Sequence, residues 1–65
     1  MNYKNNAIRE IQEFTKEFPE YSLGETLYSV LRLLKIQKLS NLLELSDEEI
    51  FSAVEKAKQE EKEIA

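Results

Sequence analysis

The apolar residues in the middle of this chain change sides, and that single feature limits what it can fold into. At about 100° per residue, Leu23, Leu27, Val30 and Leu34 fall on one line of a helix. Were that helix to run on, Ile36, Leu39 and Leu43 would lie on the other side, over Glu25, Ser29 and Arg32. One continuous rod would then have to bury both of its sides. A bend is therefore expected between Lys35 and Lys38, although neither Gly nor Pro stands there, and the chain should fold back on itself.

The other element ends are marked more conventionally. Ala7, Ile11, Phe14 and Phe18 recur at helical steps with Ile8 beside them, which predicts an amphipathic helix over about residues 5–18. Pro19 has no amide hydrogen and disfavours helical geometry at Phe18, so the helix stops there. Ser22-Leu23-Gly24-Glu25 reads as a capping box, in which Ser22 accepts from the Glu25 amide and Glu25 reaches back. It opens a second helix over 23–35. Ser46-Asp47-Glu48-Glu49 is a second capping box, and its three acids suit the positive end of a helix dipole. It opens a helix over 47–62, whose Ile50, Phe51, Val54 and Ala57 form the apolar stripe.

A short helix over 40–44 fills the gap. The expected fold class is all-α: a small compact bundle of three main helices plus one short one, in a single domain spanning 1–65. Residues 58–65 should form a solvated, frayed helix end, because Glu61 stands where the stripe would continue. The expected core takes Ile8, Ile11, Phe14 and Phe18 from the first helix. Leu23, Leu27, Val30, Leu31 and Leu34 come from the second, Leu39, Leu42 and Leu43 from the short one, and Ile50, Phe51 and Val54 from the last.

Composition narrows the chemistry. Among 65 residues there is no Cys, His or Trp, which removes thiol and imidazole catalysis, disulfides, haem ligation and ordinary zinc sites. Nine cations against thirteen acids leave a net charge of −4, which argues against a general nucleic-acid or membrane-surface binder. The longest uncharged stretch, Thr26 to Leu31, is far shorter than a membrane span. No apolar segment follows Met1-Asn2-Tyr3-Lys4 as a signal peptide would require, so the expected place is the cytoplasm. Frequent Asn, Lys, Glu and Ile fit an AT-rich bacterial or phage genome. A domain this small buries only about 60% of its unfolded surface, so oligomerisation or docking on a partner is expected.

Four clusters of residues invite a chemical reading, and each has a plainer one. Glu44, Asp47, Glu48 and Glu49 offer oxygen ligands, but the alternating acids and central Gly of a calcium loop are missing and helix capping accounts for them. Glu, Lys, Tyr and Ser are available for acid–base work, yet the carboxylates fall on solvent faces and short helices leave little room for a cleft. Arg32, Lys35 and Lys38 give residues 28–43 a charge of +3, between a −2 segment and a −5 segment. They could touch phosphates, or simply complement the end of the second helix. Leu39-Ser40-Asn41-Leu42-Leu43 matches LxxLL, the spacing of groove-docking helices, which a core-facing helix also needs.

The run from Leu33 to Phe51, with Ile36-Gln37-Lys38-Leu39-Ser40-Asn41-Leu42-Leu43 followed by Leu45-Ser46-Asp47-Glu48-Glu49-Ile50, resembles the core of helix-hairpin-helix domains. In that family a Gly-containing hairpin and a basic face support DNA backbone contacts. Here no Gly follows the acidic helix start and the chain ends in an acidic tail. The resemblance therefore implies a packing similarity, and no binding residue is carried over from it.

Surplus apolar surface is the remaining feature. Tyr28 and Leu33 sit on opposite shoulders of the second helix, with Ile36 beyond them, and Tyr is a residue type enriched at interfaces. The expectation is a non-catalytic, acidic, helical protein-interaction module, acting as a homo-oligomer or as an accessory subunit of a larger assembly. Its contact residues would be Tyr28, Leu33 and Ile36, with Arg32 and Lys35 as a polar rim. No catalytic residue, cofactor, metal, small-molecule substrate or membrane is expected. A nucleic-acid-associated regulator using Arg32, Lys35 and Lys38 is the alternative.

Overall fold

Phe18 is where the first helix gives way: its backbone turns to φ −126°, ψ 67°, one residue before Pro19. In a computed structural model, which describes residues 2–64, α1 runs Tyr3–Glu17, α2 Leu23–Leu31 and α3 Asp47–Ile64. Two 3-10 segments lie between α2 and α3: η1, Arg32–Leu34, and η2, Leu39–Glu44. The all-α bundle of three main helices and a short one is thus the architecture. α1 starts two residues earlier than the apolar spacing suggests because Asn2 caps it, its side chain accepting from the Asn5 amide at 3.1 Å.

Both capping boxes form as the sequence dictates. The Glu25 amide donates to Ser22 Oγ at 3.1 Å while the Ser22 amide donates to Glu25 Oε1 at 2.9 Å. Ser46 and Glu49 repeat the exchange at 3.1 and 3.0 Å. The bend is also where the change of apolar side requires it. α2 tightens into η1, and Lys35 then adopts φ 53°, ψ 44°, the left-handed geometry that usually falls to glycine at a helix end. The second helix accordingly ends short of residue 35.

α1 and α3 form the main pair. Tyr3 stacks near Phe51, Glu10 pairs with Lys58, and Glu17 pairs with Lys62. These contacts advance together along both helices, so α1 and α3 run parallel. Their close side uses small residues, with Ala7, Ala53 and Ala57 all buried. α2 lies across the C-terminal half of α3: Tyr21 before it reaches Glu61, and Arg32 after it approaches Glu60. Phe14, Phe18, Val30, Ala53, Val54 and Ala57 make the core, with Ile11, Tyr21, Leu33, Leu34 and Ile50 packed against it. Within it Phe14, Phe18 and Tyr21 form an aromatic triad with centroids 5.2 to 6.2 Å apart.

This topology explains why several residues expected in the core are outside it. A parallel α1–α3 pair obliges the chain to return from the level of Glu60 to Asp47, about 20 Å along α3. Residues 36–46 make that return, and η2 stands off all three helices. Leu39 and Leu43 consequently remain 82% and 88% exposed, and Leu42 is only half-buried. Within the Leu33–Phe51 run that resembles helix-hairpin-helix domains, η1 packs on α2 and α3 while η2 does not. Ile8, Leu23 and Leu27 are likewise exposed rather than buried.

α2 is turned differently from its expected orientation. It meets the bundle through Thr26, Ser29 and Val30, all buried, and through half-buried Leu33. Short side chains let the helix approach α3 closely, and the larger Leu23 and Leu27 are left to flank that contact. Beyond Ala57, α3 does not stand in solvent on every side either. Glu61 is buried and accepts a hydrogen bond from the Tyr21 hydroxyl, while Lys58 donates to Glu10 at 2.7 Å.

Candidate protein-interaction surface

The outer face of α2 follows from its burial. With Thr26, Ser29 and Val30 turned inward, helical geometry turns Gly24, Leu27 and Tyr28 outward, and Leu31 is half-buried. Tyr28 is 70% exposed, Leu23 62% and Leu27 41%. An aromatic and two leucines left exposed on one short helix are apolar surface of the kind that marks contact sites on small proteins. Glu25 and Arg32 share one edge of this face, seven residues apart.

The five contact residues expected from the sequence do not fall on one surface. Tyr28 is exposed at the centre of the outer face. Leu33 is half-buried against the core on the opposite side of the helix, so these two do not share a surface. Ile36 is half-buried in the return segment just after the bend. Arg32 is exposed at the edge, its guanidinium 3.8 Å from Glu60 Oε2, which is longer than a hydrogen bond. Lys35 is exposed at the left-handed turn. Leu23 and Leu27, assigned to the core by their spacing with Val30, belong to the surface instead.

Polar groups beneath α2 are less settled than its capping suggests. Thr26 is fully buried and its hydroxyl has no hydrogen-bond partner, and Glu60 Oε2 is likewise buried without one. Ser29 is satisfied, donating to the Glu25 carbonyl at 3.0 Å. Three ionisable groups titrate away from their ordinary values. The hydrogen bond to Glu61 holds the Tyr21 phenol protonated above its usual range. The bond Lys58 donates to Glu10 raises the lysine, and the Ser46 amide lowers the Glu49 carboxyl. All three shifts trace to helix docking or capping.

No pocket opens and no cluster of three metal-ligating side chains is found among the described residues. No helix among them is long and apolar enough to cross a membrane. Compared with protein-family models, with curated proteins and with solved structures, the chain matches none.

Proposed function

We propose that this chain is a non-catalytic helical module whose work is to bind protein, as a homo-oligomer or as an accessory subunit of a larger assembly, with the cytoplasm as its expected place. The observation that carries this reading is the exposure of Tyr28, Leu23 and Leu27 on a helix that already has a committed inward face. Arg32 and Lys35, both exposed, supply a cationic rim, and half-buried Ile36 follows them in the chain. Leu33 contributes from inside, by holding α2 on the core.

Replacing Tyr28 with a photo-crosslinking phenylalanine analogue tests the reading in cells, with the same group at exposed Gln12 as the control. Discrete protein adducts at position 28, absent at position 12, are expected. Equal or absent adducts at the two positions would refute it.

A second reading is kept for one observation: Lys35 and Lys38 are exposed and make no ion pair among the described residues. With Arg32 they could contact phosphates of a nucleic acid. Three such contacts would give a slope of about −2.7 in log affinity against log salt on duplex DNA. No binding at low salt, or binding unchanged by Lys35→Glu, would remove this alternative.

A further inference from the structure

We propose that the occupant of the outer face of α2 is a second copy of this chain, packed antiparallel so that Glu25 of each copy meets Arg32 of the other. The inference rests on the protein-binding reading above and names its partner. Two features of α2 point to self-pairing.

The first is charge placement. Glu25 and Arg32 lie on the same edge of the exposed face, about 10 Å apart along the axis. A twofold axis midway between them, perpendicular to the helix, keeps that edge on the same side in both copies and reverses the direction of the chain. Each carboxylate then stands opposite the partner copy's guanidinium, at both ends of the contact. Leu27 and Tyr28 fill the middle. A parallel pairing about an axis along the helix would instead put the two charged edges on opposite sides of the contact, leaving neither charge a partner across it. Both groups have capacity to spare: Glu25 uses Oε1 for the cap, and Arg32 has only the long approach to Glu60.

The second feature is Gly24, the sole glycine of the chain, in the first turn of α2 on the exposed face. Its φ is not positive, and an added Cβ would meet only Ser22 Oγ at 3.8 Å. Nothing within one copy therefore calls for glycine, a poorer helix former than alanine. Across a helix pair the missing side chain lets the facing backbone come close, as small residues do wherever helices approach tightly.

A contact one short helix wide belongs with transient interfaces, of about 1,200 Å² in total or less. The expected dissociation constant is correspondingly weak, on the order of 0.1 mM. Sedimentation equilibrium of the full chain from about 10 µM to about 1 mM reads it directly. Glu25→Arg and Arg32→Glu should each weaken the dimer about tenfold or more, by setting like charges opposite one another. The double variant should restore it to within about threefold. Both single variants lose an intramolecular contact, the cap or the Glu60 approach, and the double variant loses both. Restoration therefore reports the pair between copies, with helix content by circular dichroism confirming that each variant folds.

A native chain that stays monomeric to about 1 mM would overturn the second copy as the occupant. The Tyr28 crosslink then decides the broader reading separately: adducts with another protein preserve it, and absence of adducts removes it too. A dimer indifferent to the charge exchange would overturn the antiparallel register.

Discussion

Thr26→Val should make this protein more stable, an unusual outcome for a change at a fully buried position. The Thr26 hydroxyl is out of water and has no hydrogen-bond partner. A hydroxyl in that state costs about 1–3 kcal/mol of desolvation. Valine keeps the branched shape and replaces the oxygen with a methyl, whose burial contributes roughly 0.8 kcal/mol. Helix propensities of Thr and Val are nearly equal, so that term cancels. The net expectation is a gain of about 2 kcal/mol, which for a domain this size raises the thermal midpoint by about 10 °C. Ser29→Ala is the matched control. Ser29 is also buried, but its hydroxyl is bonded to the Glu25 carbonyl, and losing that bond offsets the better propensity of alanine. That variant should stay within about 0.5 kcal/mol of the parent. Thermal and urea melts of the three proteins give the answer. A Thr26→Val midpoint equal to or below the parent's would refute the reasoning, because the hydroxyl must then have a partner in solution.

Three further perturbations test other parts of the structure. Lys35→Gly should stabilise by about 0.5–1 kcal/mol, since left-handed geometry costs a lysine more than glycine loses in chain entropy; a destabilised variant in urea melts would contradict the turn. Phe14→Ala removes the fully buried ring of the aromatic triad and should cost about 3–5 kcal/mol, enough to unfold much of so small a domain; circular dichroism showing full helix content would count against this core. In alkali, stability should fall as the pH passes above about 10. The folded values of Tyr21 and Lys58 are both raised, so their stabilisation is complete below the unfolded values and is lost as each deprotonates. Tyr21→Phe should flatten that alkaline decline, and an unchanged profile would show that the Glu61 bond does not form.

The legible parts of the fold were those with a local cause. Pro19, the boxes at Ser22 and Ser46, and the change of apolar side after Leu34 each follow from a few neighbouring residues, and each marks a real boundary. The inward side of α2 has no local cause. Leucines surround most of that helix, so periodicity names no unique face, and close approach to α3 favours the small Thr26 and Ser29 over Leu23 and Leu27. Ala7 and Ala57 stand on the apolar stripes of their helices, but Ala53, buried with them, is too small to mark a face by itself. Glu61 continues the inward stripe of α3 by position but reads as solvated by its charge, and the Tyr21 hydroxyl that satisfies it arrives from forty residues away. The same reasons sort the candidate surface. Tyr28 was legible because it lies off the main apolar line, Leu33 went inward with Thr26 and Ser29, and the exposure of Leu39 and Leu43 follows from the return path imposed by the parallel α1–α3 pair.

The central claim is that α2 docks by its small residues and leaves Leu23, Leu27 and Tyr28 exposed. Methyl NMR of the Arg32→Glu variant with a soluble nitroxide measures this most directly, free of pairing between copies. Strong broadening of the Leu23 and Leu27 methyls, with Val30 and Val54 protected, is the expected pattern. Protected Leu23 and Leu27 methyls beside a broadened Val30 would mean that the helix is rotated the other way.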